Sequence, residues 1–336
     1  MNTSHIIGQS PLIAGMEQIL AGGRIVHAYI FEGPAGAGKK TMSSLFAQAM
    51  LCTNPENKPC YACIPCKQYE NGNHPDVIWI RRLENKTAII VDQIRELQSV
   101  IKVKPYQAGK RICFIDGAQL MNDQSQNALL KTLEEPPSHT LFFLLADSTS
   151  PLKPTILSRC QLFRVDSLSR EDIAVLLDRR LSIGYEEALT YATLSQGNPG
   201  QALALAGDEE FRAMRDQLIN GMIQTGTTKI FDLIGPFNEH KERVQDLFNI
   251  LELWIRDILI LRETGDLDFI INRDQSTVLR KQASCFTSKA LQDMIGSIEQ
   301  ARKRLKSNTN YQLTIEAMLS HFQGGANNAS RSRSSV

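Results

Sequence analysis

Two short stretches of the chain hold residues whose types and spacing can do chemistry. In LCTNPENKPCYACIPCKQ, Cys52, Cys60, Cys63 and Cys66 follow the pattern C-x7-C-x2-C-x2-C. Four thiolates close a tetrahedral shell around zinc and leave no position open for a substrate, so the chemistry is that of a structural site. Magnitude supports that role: a structural zinc contributes about 10–16 kcal/mol in small peptides, against about 1.5–3 kcal/mol for burying one leucine-sized side chain. The stretch carries three prolines and few apolar residues, so a metal must organise it. Free thiols are the alternative state; His74, just beyond the cluster, is a candidate substitute ligand, but its favoured reading is a solvent-facing or core histidine. Cys113, Cys160 and Cys285 stand alone and read as ordinary buried residues.

The second stretch is GPAGAGKK. Gly33, Gly38 and Lys39 have the spacing of a phosphate-binding loop, in which backbone N–H groups and a helix N-terminus cradle an anion. The pattern calls next for Ser or Thr, whose hydroxyl holds magnesium, and here that position is Lys40. Thr41 comes one residue late, about 100° around the helix. The partner strand of such a site ends in Asp followed by a water-polarising Glu, whereas RICFID ends in Asp116 and continues with Gly117. Losing one transition-state contact reduces a rate by about 10²–10³, so losing both leaves hydrolysis negligible. The expectation is that the Lys40 ammonium lies beside the Asp116 carboxylate in the place of the metal; the alternative is that Lys40 points into solvent.

The elements that must position these groups follow from periodicity. HAYIFEG, from His27, reads as a strand, followed by the Gly-rich loop and a helix through Met50. DVIWI (Asp76 to Ile80) is a second strand, and a helix capped by Asp92 follows, with Ile94, Leu97, Val100 and Ile101 on one face. RICFID (Arg111 to Asp116) and TLFFLLA (Thr140 to Ala146) are nearly all apolar, which implies strands buried on both faces in a parallel sheet between helices. QLFRV closes this part near Val165. Beyond it only helices are expected: one opened by a Ser169–Asp172 capping box, another from about Tyr185 to Ser195, and then long amphipathic ones after an interruption at Gly197, Pro199 and Gly200. LFNILELWIRDILIL (Leu247 to Leu261) is apolar on nearly every side and requires burial in its own bundle or against other chains.

Composition bounds the rest. The 336 residues suggest two or three domains, and a net charge of +1 supplies no global attraction to nucleic acid or membrane. Any DNA contact must be local. The start of the chain has neither a basic leader nor a long apolar run, and Glu252, Arg256 and Asp257 interrupt the most apolar helix, so a cytoplasmic protein is expected. In that reducing compartment four clustered cysteines mean metal rather than disulfides.

HAYIFEGPAGAGKK, the four-cysteine insertion directly after its helix, NALLKTLEEPP (Asn127 to Pro137) and TILSRC (Thr155 to Cys160) together resemble the AAA+ subunits of bacterial DNA polymerase III clamp loaders. The likeness spans roughly Ile6 to Ala206, and the helical remainder fits the family's collar domain by pattern only. It implies an α/β P-loop AAA+ core with a parallel sheet (1–165, zinc insertion 52–66), a small helical lid (166–207) and an all-helical collar for oligomerisation (208–324); the last stretch, 325–336, has no core-forming residue except its last and is read from its composition as a disordered tail. The family's ATPase branch, gamma or tau, carries GKTS, a DE pair and a sensor arginine. This chain has GKKT, Asp116-Gly117, and Gly200 in GNPGQ, departures that match the delta-prime branch, which keeps the fold without hydrolysis.

Gly33, Gly38, Lys39, Lys40 and Asp116 are then a degenerate nucleotide site. The resemblance also implies that Arg159 enters the nucleotide site of an adjacent subunit as an arginine finger in trans. It implies gamma or tau and delta as partners in the DNA polymerase III holoenzyme, with the sliding clamp and primed DNA reached through the complex, and Lys131 or its neighbours near primer-template. Taken without the family, Arg159 is a surface or ion-pair residue, and NALLKTLEEPP is an amphipathic helix ended by Pro136 and Pro137 with Glu134 and Glu135 solvated. Two rival functions stay open: an active ATPase subunit, and a zinc-dependent DNA-binding module whose P-loop is incidental.

Overall fold

The computed structural model of the chain describes residues 1–107, 109–224, 233–307 and 309–331, with 323–331 described by backbone alone. Two compact units emerge, one comprising Met1–Ser169 with Asn198–Gly200 and the other Arg170–Gly197 with the chain from Gln201 onward.

The first unit begins with α1 (Ser10–Gly22), β1 (Ala28–Glu32), α2 (Lys39–Leu51) and α3 (Ile64–Glu70). It continues through β2 (Val77–Arg81), α4 (Val91–Ile101), β3 (Arg111–Asp116) and α5 (Asp123–Glu134), and ends with β4 (Thr140–Ala146), α6 (Pro154–Leu157) and β5 (Gln161–Arg164). The five strands form one sheet in the order β2-β3-β4-β1-β5. Every pairing is parallel, as the uniformly apolar strands require.

Alternation along each strand builds two cores. Ala28 and Ile30 of β1 face the side covered by Ile94 and Leu97 of α4 and Leu129 and Leu133 of α5. Tyr29 and Phe31 face the other side, packed with Phe46, Phe143 and Phe163. Tyr29 meets Phe46 edge-on at 5.1 Å between ring centroids, the arrangement that opposite ring quadrupoles favour.

Two local expectations change. Asp92 is not the cap of α4: it lies in the first turn and pairs with Arg95 at 3.4 Å, while the Ile90 N–H ahead of the helix donates to Gln93 Oε1. Val100 is 41% exposed, so the buried stripe of α4 narrows to Ile94, Leu97 and Ile101.

The second unit is helical. Its elements are α7 (Arg170–Leu181), α8 (Tyr185–Leu194), α9 (Pro199–Gly207), α10 (Glu209–Gln224), α11 (Ile234–Glu239), α12 (Val244–Thr264), α13 (Ser276–Ala283), α14 (Ser288–Lys306) and α15 (Tyr311–Arg331). The expected division at 207/208 falls inside this unit rather than between compact units. The apolar helix is α12, and it is buried within the unit, with Leu247, Phe248, Leu251, Trp254, Ile255 and Ile258 all enclosed.

Asp257 also lies inside, where burial raises its pKa above the usual carboxylate value. Its carboxylate accepts from the Ile271 and Asn272 N–H groups at 2.8–3.0 Å and meets Arg256 at 3.1 Å, which is why a charged residue is tolerated on that face. The helix α15 runs on through Arg331, into the stretch expected to be a disordered tail; the rest of that stretch, 332–336, lies outside the described residues. Among the described residues no helix is long and apolar enough to cross a membrane.

Candidate phosphate loop, cysteine cluster and surface arginine

The loop between β1 and α2 is shaped by its glycines. A Cβ on Gly33 would lie 2.4 Å from the Val165 carbonyl oxygen, so the chain can pass the end of β5 only without a side chain. Gly36 and Gly38 take positive φ of 83° and 100°, the left-handed region that L side chains rarely adopt. The residue that caps α2 is Gly38, which has no side chain to bond the first N–H groups of the helix.

The loop borders a cavity of about 510 Å³ whose charged walls are Lys39, Lys40, Arg81 and Arg82 against Asp116 and Asp147. Lys39 donates to the Gly33 carbonyl at 2.6 Å, to the Pro34 carbonyl at 2.9 Å and to Asp147 Oδ1 at 2.6 Å. Asp147 in turn accepts from Gln119 Nε2 at 2.9 Å, and its own N–H donates to Gln119 Oε1 at 3.2 Å.

Asp116 does not pair with Lys40. The register of the parallel pair β2 and β3 sets Arg81 opposite Asp116, and Arg81 Nε lies 3.4 Å from Asp116 Oδ2. The Lys40 ammonium instead sits 5.1 Å from the centre of the Trp79 ring, which is stacked on Phe114 at 3.9 Å. The internal counter-ion of Asp116 is therefore an arginine from the neighbouring strand, and the lysine on α2 makes a cation–π contact. Thr41 is exposed to solvent, so its hydroxyl does not substitute for the missing one. Gly117 has φ 82°, and in this backbone an L side chain would be strained and would press on Leu120.

The GNPGQ segment closes on the loop. Asn198 Nδ2 donates to the Ala35 carbonyl at 2.6 Å and the Gly200 N–H to the Gly36 carbonyl at 2.9 Å. A Cβ on Gly200 would lie 2.7 Å from Gly36 Cα, so backbone-to-backbone contact excludes a sensor arginine at this position. Nearby, Glu32 accepts from both the hydroxyl (2.6 Å) and the N–H (2.8 Å) of Thr149. The hydroxyl bond is the main cause that holds its carboxyl below the usual range.

Cys52, at the C-terminal end of α2, Cys60 and Cys63 in the following loop, and Cys66 in α3 bring their sulfurs within 4.8 Å of one another. Cys52 and Cys63 Sγ are 3.9 Å apart, close to the roughly 3.8 Å edge of a tetrahedron with 2.3 Å zinc–sulfur bonds. Burial raises the Cys52 and Cys66 thiols. Burial works the same way on Cys63, but backbone N–H groups of Thr53 and Cys66 outweigh it and bring that thiol to about 6. The N–H groups of Ala62 and Cys63 lower Cys60 likewise. Such N–H···S donation stabilises thiolates, and the four residues can hold a metal ion. His74 is outside the cluster; its Nδ1 accepts from the Asp76 N–H at 3.1 Å. Of the isolated cysteines Cys113 is buried, Cys160 half-buried and Cys285 exposed, the last against expectation.

Arg159 follows α6, with Nη1 donating to the Thr155 carbonyl at 2.9 Å and Nη2 3.1 Å from Glu134 Oε1 at the end of α5. Its side chain is 35% exposed. Lys131 and Glu135 on and after α5 are exposed. Sequence reasoning missed Asp147, Gln119, Arg81 and Asn198. One signal was available for Asp147: it directly follows the apolar strand TLFFLLA, and ligand-facing groups in open parallel sheets cluster at the carboxyl ends of strands.

A parallel sheet in the order β2-β3-β4-β1-β5, with a glycine loop leading from β1 into a helix and an acidic residue ending β3, defines a P-loop core of the AAA+ class. Family models described as DNA polymerase III, delta subunit, and its C-terminal part match residues 8–169 and 209–324. The chain belongs to the delta-prime family of DNA polymerase III clamp-loader subunits. It is 30% identical over 309 residues to DNA polymerase III subunit delta' of Bacillus subtilis (strain 168), covering 90% of this chain and 92% of that one. The delta' subunit of Escherichia coli (strain K12) is 27% identical, with 88% and 89% covered. Subunit tau of B. subtilis is 26% identical across 90% of this chain but only 58% of its own length.

Proposed function

We propose that this chain is a clamp-loader subunit that does not hydrolyse ATP itself and serves the ATP site of a neighbouring subunit through Arg159. The observation that carries the first half is the state of the acidic strand. Asp116 is paired with Arg81, Gly117 adopts a backbone that a catalytic carboxylate could hold only under strain, and Lys40 stands where the metal's hydroxyl belongs. A site without metal ligand or base leaves attacking water unactivated. The second half rests on Arg159, a partly exposed guanidinium oriented by Thr155 and Glu134 at the surface of the AAA+ unit.

In this reading the chain joins gamma or tau and delta in a ring that places the sliding clamp on primed DNA. The helical part supplies the lid and the collar that holds the ring together. Cys52, Cys60, Cys63 and Cys66 bind a structural zinc that ties the loop after α2 to α3; when bound it contributes folding energy and takes no part in the chemistry. The net charge of +1 favours DNA contact through the assembled ring over tight binding by the isolated chain.

The deciding measurement is phosphate release from ATP by the purified chain with magnesium. Background turnover, unaltered by Lys39→Ala, is expected. Turnover that Lys39→Ala abolishes would establish the rival reading, an active ATPase subunit.

A further inference from the structure

We infer that Asp147 is a built-in anion that occupies the phosphate-binding lysine, so that the loop is liganded by its own chain and is closed to nucleoside triphosphates. This rests on the reading of the chain as a non-hydrolysing subunit and deepens it: a loop that had merely lost its catalytic groups would still bind nucleotide.

An ammonium has three N–H donors. All three of Lys39 are engaged, two by carbonyls of the loop it stabilises and the third by Asp147 Oδ1 at 2.6 Å. An arriving phosphate must displace the carboxylate from a lysine whose own side chain is only 11% exposed, although Asp147 is 49% exposed and solvent screens the pair from that side. Asp147 is itself held. Gln119 Nε2 donates to its Oδ2, so the carboxylate swings aside only by giving up that bond, and the Asp147 N–H in turn holds Gln119 Oε1 in place.

The position follows from the fold. β4 is the immediate neighbour of β1, and their register sets Ala146 opposite Glu32, so the residue after β4 emerges next to the start of the loop. A carboxylate at that spot lies where an incoming polyphosphate would bring like charge. The loop is also latched from outside by Asn198 on the Ala35 carbonyl and Gly200 on the Gly36 carbonyl. Of the remaining cations, Lys40 and Arg81 are drawn to Trp79 and Asp116, and Arg82 donates to the Lys86 carbonyl.

The test is calorimetric titration of the full-length chain with ATP and, separately, with inorganic tripolyphosphate, both without magnesium. Asp147→Asn keeps the shape and a carbonyl for Gln119 but removes the charge. It is expected to bind either ligand at least about tenfold more tightly than wild type. Adding Lys39→Ala to Asp147→Asn should cancel that gain. Equal affinity in wild type and Asp147→Asn, or a gain that survives Lys39→Ala, overturns the inference. Micromolar binding of ATP by the wild-type chain overturns it without any variant. Binding and hydrolysis are read separately, so phosphate release by the wild-type chain would refute the non-hydrolysing reading. Weak binding by Asp147→Asn without phosphate release would refute only the role of Asp147.

Discussion

Arg159→Ala separates a functional arginine from a structural one, because the structure bounds how much the side chain can contribute to folding. Its ion pair with Glu134 is solvent-facing on both sides, 35% and 51% exposed, and such pairs contribute about 0.2–1 kcal/mol. The hydrogen bond to the Thr155 carbonyl adds about 0.5–1.5 kcal/mol, discounted for the same exposure. At roughly 2–4 °C per kcal/mol for a unit of this size, the variant should melt only a few degrees below wild type. An arginine finger, by contrast, contributes about 10³–10⁵ to the rate at the ATP site it enters.

The assay is rapid-quench hydrolysis by the reconstituted loader with sliding clamp and primed DNA, alongside a thermal melt of the free subunit. One ATP site per loader is expected to drop out of the fast phase while the subunit stays folded and still co-purifies with its partners. Unchanged hydrolysis would refute the trans role. Loss of hydrolysis accompanied by failure to assemble would refute the reasoning that confines the effect to chemistry.

Two further outcomes follow from the same structure. Purified protein is expected to hold about one zinc per chain by elemental analysis, and Cys66→Ser should lose it and melt roughly 10 °C lower, since the loop after α2 has little apolar burial of its own; a zinc-free wild type that melts normally would end the metal reading. Thr149→Val removes the hydroxyl that depresses the Glu32 pKa. A depressed carboxylate stabilises the fold above its unfolded value and loses that contribution as pH falls through its folded value. The variant should therefore be about 1–2 kcal/mol less stable at pH 7, with the difference closing below pH 4.5 in urea titrations at several pH values.

Much of the core was legible because each strand carries its own signal. Strands such as ICFID and LFFLLA are apolar on both faces, and only a sheet covered twice can accommodate them. The glycine spacing around Lys39 and the cysteine spacing are likewise local, and both sets converge as their patterns require. The pairing of Asp116 was misjudged for a nonlocal reason. Lys40 stands beside the loop in sequence, but the β2–β3 register delivers Arg81 instead.

The amino-acid order by itself determined which residues stand at the motif positions: Lys40 after the loop lysine, Gly117 after Asp116 and, by the family resemblance, Gly200 where a sensor arginine is expected. It also determined the family to which those departures belong, because absences at motif positions are read directly from residue identity. Only tertiary structure decided what fills the gaps. Asp147 on Lys39, Arg81 on Asp116 and Gly200 against Gly36 join residues separated by tens to more than a hundred positions. No local periodicity encodes such contacts: strand order and register bring together the carboxyl ends of β1 to β4, and a backbone hydrogen bond from Gly200 brings the GNPGQ segment onto the loop.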